Sequence, residues 1–108
     1  MNATASALTD LFNRIPRRHS AENLAEIKAI LTDYEDILIE IEAINYFYES
    51  NVPEFFDHIE IVNASLKKSN DNKASKKMKD VYFDEAADTL KDSVEGMIAL
   101  YADGKRTA

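Results

Sequence analysis

Two histidines and no cysteine limit the acid–base, metal and nucleophilic chemistry open to this 108-residue chain. His58 lies in Glu54-Phe55-Phe56-Asp57-His58-Ile59-Glu60, four residues after Glu54, so one carboxylate and one imidazole share a helix face. A dinuclear carboxylate bundle needs two Glu-x-x-His pairs and further facing glutamates. The residue three before His58 is Phe55, and no second copy of the motif exists. His58 is therefore expected to be a surface histidine among acids. His19 follows Arg17 and Arg18 in a basic turn, with no serine or cysteine placed to form a nucleophile–base pair in the sequence. The absence of cysteine excludes a disulfide framework, a thiolate nucleophile and a cysteine-ligated zinc. Gly96 and Gly104 are the only glycines, too few and too far apart for a phosphate-cradling loop. A bundle that grips a dianionic substrate needs inward-facing bases, and the longest helical segment has only Lys28. These exclusions point to a protein without enzymatic activity, with no catalytic residue, cofactor or metal.

Charge is the next source of chemistry. The chain carries a net charge of -7, which disfavours direct nucleic-acid binding because phosphates require a basic face. Between Ser20 and Leu66 the only base is Lys28, while acids recur in helical columns such as Glu35, Glu42, Glu49 and Glu26, Asp33, Glu40. Glu35, Asp36, Glu40, Glu42 and Glu49 form an acidic face. Such a face is expected to be solvated. Its sharper reading is a surface that meets a basic partner or imitates the phosphate spacing of nucleic acid. Lys67, Lys68, Lys73, Lys76, Lys77 and Lys79 cluster around a polar hinge but lack the interleaved aromatics of a base-stacking site, so they read as solubilising lysines.

The elements that carry these residues follow from periodicity. Hydrophobic residues make up 45% of the chain, and only two prolines interrupt it. That combination predicts an all-α single domain over residues 1–108. A short helix is predicted from about Ala3 to Asn13, ended by Pro16, with the basic turn completing residues 1–19. Ser20 reads as an N-cap opening a long helix over about 21–48. Its seam is Leu24, Ile27, Leu31, Tyr34, Leu38, Ile41, Asn45 and Tyr48, with Ile30, Ile37 and Ile44 as a second buried column. Asn51 and Glu54 resemble a capping box, and Pro53 suits a first helical turn, which places a helix at about 53–68 with Phe55, Ile59, Val62 and Leu66 inward. Residues 69–75 form a polar hinge. A last helix over about 76–102 buries Phe83, Ala87, Leu90, Val94, Met97 and Tyr101, with Gly104 placed as its C-terminal cap. Three main helices with short connections imply a small antiparallel bundle, with the short N-terminal helix as a fourth member.

On a continuous helix over 21–48, Ile39, Ala43 and Tyr46 project opposite the seam and Phe47 borders the second column. A helix apolar on two sides needs two contacts. These four residues are the expected partner-binding surface. The protein thus reads as a protein-binding module (a regulator, adaptor, chaperone or inhibitor) that works through helix faces on a protein partner, such as a basic one, or on a second copy as a homodimer. The alternative is an acidic mimic that blocks a DNA- or RNA-binding protein. The opening residues show no positively charged leader with an apolar run, and no segment approaches the ~18 apolar residues of a membrane span, so a cytoplasmic protein without membrane contact is expected.

Overall fold

The computed structural model describes residues 3–107, with side chains through Lys105. It is 84% helical and has no strand among the described residues. The helices are α1 (Ala3–Arg14), α2 (Ala21–Glu42), α3 (Tyr46–Asn51), α4 (Pro53–Ser69) and α5 (Lys76–Thr107). The all-α antiparallel bundle expected from periodicity is the observed fold.

Local chemistry sets most boundaries. Ser20 caps α2 as expected: its backbone is extended and its Oγ accepts from the Asn23 N–H at 3.0 Å. The rod expected over 21–48, however, is two helices. The Ala43 N–H still donates to the Ile39 carbonyl, but the Ile44 N–H closes a tighter turn onto Ile41. Asn45 then adopts extended backbone, and its Oδ1 accepts from the Tyr48 N–H at 3.1 Å. Asparagine competes with the backbone for hydrogen bonds, which disfavours it inside a helix and suits it to a cap. Asn45 is therefore the N-cap of α3 and not a polar residue within a continuous seam. Ile44 leaves the predicted buried column and is 54% exposed.

Two further expectations change at the ends of helices. The Asn51–Glu54 capping box does not form. Asn51 instead donates from Nδ2 to the Phe47 carbonyl, while buried Val52 precedes Pro53 with no side-chain cap. Gly104 is no cap either, because α5 runs through it to Thr107 and no described glycine has positive φ. Its role is steric: a Cβ at Gly104 would collide with the Tyr48 ring. The hinge is an ordered turn over 70–75, with Asp71 Oδ1 accepting from the Lys73 N–H and Ser75 Oγ from the Met78 N–H.

Antiparallel order follows from which residues meet. His19, just before α2, lies 3.3 Å from Asp80 near the start of α5, and Tyr48 beyond α2 bonds the Tyr101 carbonyl near the end of α5. Thus α2 and α5 run the same way. Against them, α4 runs in the opposite direction, with Phe55 against Gly96 and Lys68 over the Tyr82 ring. The closest pair is α4 with α5, while α1 lies against α2 and α5 on the other side. Arg14 links α1 to α2 through Glu26 and Asp33, at 2.9 and 3.0 Å. Both pairs are solvent-accessible, so they align the helices and add little stability. One core cluster draws on every helix, from Leu8 and Leu11 to Tyr48, Val62 and Met97. The body measures 49 × 24 × 17 Å, its length set by α5.

Candidate functional site

The break between α2 and α3 reshapes the surface expected to bind a partner. Ile39 is 53% exposed on the last turn of α2, Ala43 is exposed in the connecting turn, and Tyr46 is 80% exposed as the first residue of α3. Phe47 departs from this group. It is half-buried against the core, with its ring edge-on to Tyr48 at 5.5 Å. Three of the four expected residues are thus free of the core, on two helices and a turn instead of one straight face. Ile44 joins them as a large apolar residue left in solvent, which the heptad reading missed. The signal was available in Asn45, whose preference for caps breaks the column that would have buried Ile44.

Beside Ile44 lies a cleft of about 400 Å³ walled by Asn45, Tyr48, Tyr101, Gly104 and Lys105. Two tyrosine rings stacked at 5.7 Å form its floor, held in place because the Tyr48 hydroxyl donates to the Tyr101 carbonyl at 2.6 Å. Of the acidic face, Glu35, Asp36, Glu40 and Glu49 are exposed and Glu42 is half-buried. None of the five is paired with a described lysine or arginine. From Glu35 to Leu66 the chain has eight acids and no lysine or arginine, so the exposed apolar residues sit in a predominantly negative field, with Lys105 of α5 the base beside Ile44.

His58 is not the surface histidine expected. It is half-buried, with Nδ1 2.8 Å from Ser93 Oγ, and Ser93 is in turn 2.8 Å from the Tyr34 hydroxyl. A hydroxyl can donate to one neighbour while accepting from another, so Ser93 Oγ joins both. The sequence did hold a clue, since Ser93 falls on the buried stripe of α5 between Leu90 and Val94. A serine beside a histidine suggests a nucleophile, but the geometry lacks the rest of that machinery. Ser93 is 3% exposed and lies inside α5, where helical hydrogen bonding consumes the backbone N–H groups that would stabilise an oxyanion. The adjoining cavity, lined by His58, Thr89, Asp92 and Ser93, is about 180 Å³. No carboxylate is hydrogen-bonded to the far imidazole nitrogen among the described residues. What the chain of hydrogen bonds does is tie α2, α4 and α5 together at mid-height.

His19 also has company that the sequence did not show: Asp80 at 3.3 Å and the Phe83 ring at 5.4 Å. These contacts bring the basic turn Arg17-Arg18 to the same end of the bundle as the lysines around 67–79. No group of three or more His, Asp or Glu residues suited to a metal occurs among the described residues. No known protein family, curated protein or solved structure matches this chain.

Proposed function

We propose that this protein is a non-enzymatic, cytoplasmic protein-binding module, a regulator or inhibitor whose docking surface is the α2–α3 junction. The observation that carries the reading is the exposure of Tyr46, at 80%, with Ile39 and Ile44 beside it in a stretch devoid of bases. Apolar residues that gain nothing from the fold are suited to an interface, and tyrosine is a frequent anchor there. The acidic surroundings specify the partner: a protein segment that is both apolar and basic, such as an amphipathic helix bearing lysine or arginine. No described helix is long and apolar enough to cross a membrane.

A synthetic amphipathic helical peptide of leucine and lysine is the direct probe, titrated by calorimetry. Tyr46→Glu should weaken its binding more than tenfold, equivalent to ~1.4 kcal/mol, with the melting temperature nearly unchanged because the side chain is outside the core. A variant that melts far lower yet binds as before would sink the reading. The eight-acid stretch also supports a second reading, a mimic of nucleic acid that occupies a DNA- or RNA-binding protein. Salt separates the two. A mimic loses nearly all affinity as the screening length falls to ~3 Å at 1 M, and it is indifferent to Ile39 and Tyr46, whereas the apolar anchors of a docking module hold.

A further inference from the structure

The fold sorts charge by end. The end formed by residues 15–22 and 67–81 holds Arg17, Arg18 and six lysines against three acids, a surplus of five positive charges in a chain whose total is -7. Contacts of His19 with Asp80 and of Lys68 with Tyr82 place these distant segments together. The opposite end, formed by residues 35–55 and 101–105 where Tyr48 bonds the Tyr101 carbonyl, carries seven acids against Lys105. Each end also leaves apolar side chains in water. Met78 and Val81, one helical turn apart on α5 among Lys76, Lys77 and Lys79, are 40% exposed each, and Ile39, Ile44 and Tyr46 are exposed at the acidic end. The two ends thus share a mixed charged–apolar character with opposite sign.

We infer that two copies of this chain pair side by side and antiparallel, the basic end of each covering the acidic, apolar end of the other. The inference rests on the docking reading of the acidic end and names its occupant. A rod 49 Å long and 24 Å wide meets its own complement twice in that arrangement, so the pairing is isologous and closes at two chains, whereas end-to-end stacking would propagate. The overall charge of -7 does not oppose it, since at physiological salt charges beyond ~8 Å are screened and each end faces its opposite.

Reversing charge at either end tests the pairing without disturbing the helices. Lys76→Glu with Lys77→Glu puts acids at the N-terminus of α5, and Glu42→Lys puts a base in the last turn of α2 beside mid-helix Glu35→Lys; the terminal changes favour their helix dipoles. Sedimentation equilibrium of the wild type should give the mass of two chains. Each double variant alone should associate at least tenfold more weakly, and an equimolar mixture of the two should form the two-chain species more strongly than either variant alone, because one contact then joins two unaltered ends and in the other the introduced acids face the introduced bases. A single-chain wild type, assemblies larger than two chains, or a mixture that fails to recombine would overturn the pairing. Titrating the leucine–lysine peptide onto the Lys76→Glu, Lys77→Glu variant, whose acidic end is then uncovered, separates this inference from the reading it rests on. Binding there by a protein whose wild type is a single chain overturns the pairing and leaves the docking surface standing. No binding by a variant whose wild type pairs as described leaves the pairing standing and removes a separate basic partner.

Discussion

Tyr48 occupies the space that any side chain at position 104 would need, and its hydroxyl is tied to the Tyr101 carbonyl, so the ring cannot swing aside cheaply. Gly104→Ala sets two effects against each other. Helix propensity favours alanine by up to ~1 kcal/mol, while overpacking a filled site costs ~1–3 kcal/mol. The steric effect should win, with a net loss in chemical denaturation; an unchanged or raised stability would show that Tyr48 yields. The buried phenol of Tyr34 gives a second test. Burial pushes its pKa well above the ordinary value near 10, the hydrogen bond to Ser93 drawing it only partly back. A folded-state pKa above the unfolded one means that the stabilisation is complete below pH 10 and is lost as pH climbs beyond it, because the unfolded chain releases the proton first. Stability should therefore fall from about pH 10 upward, by as much as ~1.4 kcal/mol per pH unit for this one proton. Tyr34→Phe should flatten that alkaline limb, at a cost of about 1 kcal/mol near neutrality for the lost hydrogen bond. Burial shifts Tyr48 the same way, so part of the limb remains in the variant.

At the scale of the element, α2 and α3 show how one polar residue divides a periodic pattern. The three-four spacing from Leu24 to Tyr48 reads as one rod, and all its apolar members from Ile27 to Ile41 are buried as expected. Asn45 interrupts it, because a side chain that can accept from Tyr48 N–H is worth more as a cap than as a member of a seam. Asn45→Ala should cost about 1 kcal/mol. Asn51→Ala, where the side chain only bonds back to Phe47 on the exposed surface, should stay within about 0.5 kcal/mol. Equal effects from the two would mean that Asn45 is no cap. The cap also decides the candidate site. Without the turn at 43–45, Ile44 would continue the buried column and Tyr46 would extend the face of Ile39.

Across the whole molecule, a single core joins all five helices, and Leu38 lies in it with no exposed surface. Leu38→Ala should destabilise the fold by ~2–5 kcal/mol, and circular dichroism should still record one cooperative transition, since no element has a core of its own. Loss in two separate steps would mean that the bundle is less unified than its packing shows. The same compactness creates the polarity of the molecule. Chain segments with opposite charge are separated by the antiparallel course of the helices, so ends 49 Å apart differ in sign although the sequence interleaves their residues.

What the sequence alone determined is what depends on neighbours within a turn or two: the helical class, the cap at Ser20, the start of α4 at Pro53, and the inward faces of α4 and α5, from Phe55 to Leu66 and from Phe83 to Tyr101. Hydrophobic periodicity and breaker residues act locally, so these features are legible in one dimension. Tertiary structure decided the rest. His58 and Ser93 are 35 residues apart and Tyr34 and Ser93 are 59 apart; no spacing rule connects them, and only the packing of α2, α4 and α5 brings their polar atoms within bonding distance. Gly104 reads as a helix stop until Tyr48, folded back from α3, supplies the physical reason for a residue without a side chain. The gathering of Arg17 and Arg18 with the lysines of residues 67–79 is likewise a product of topology, because charge acts through space and the chain reaches that end of the bundle twice.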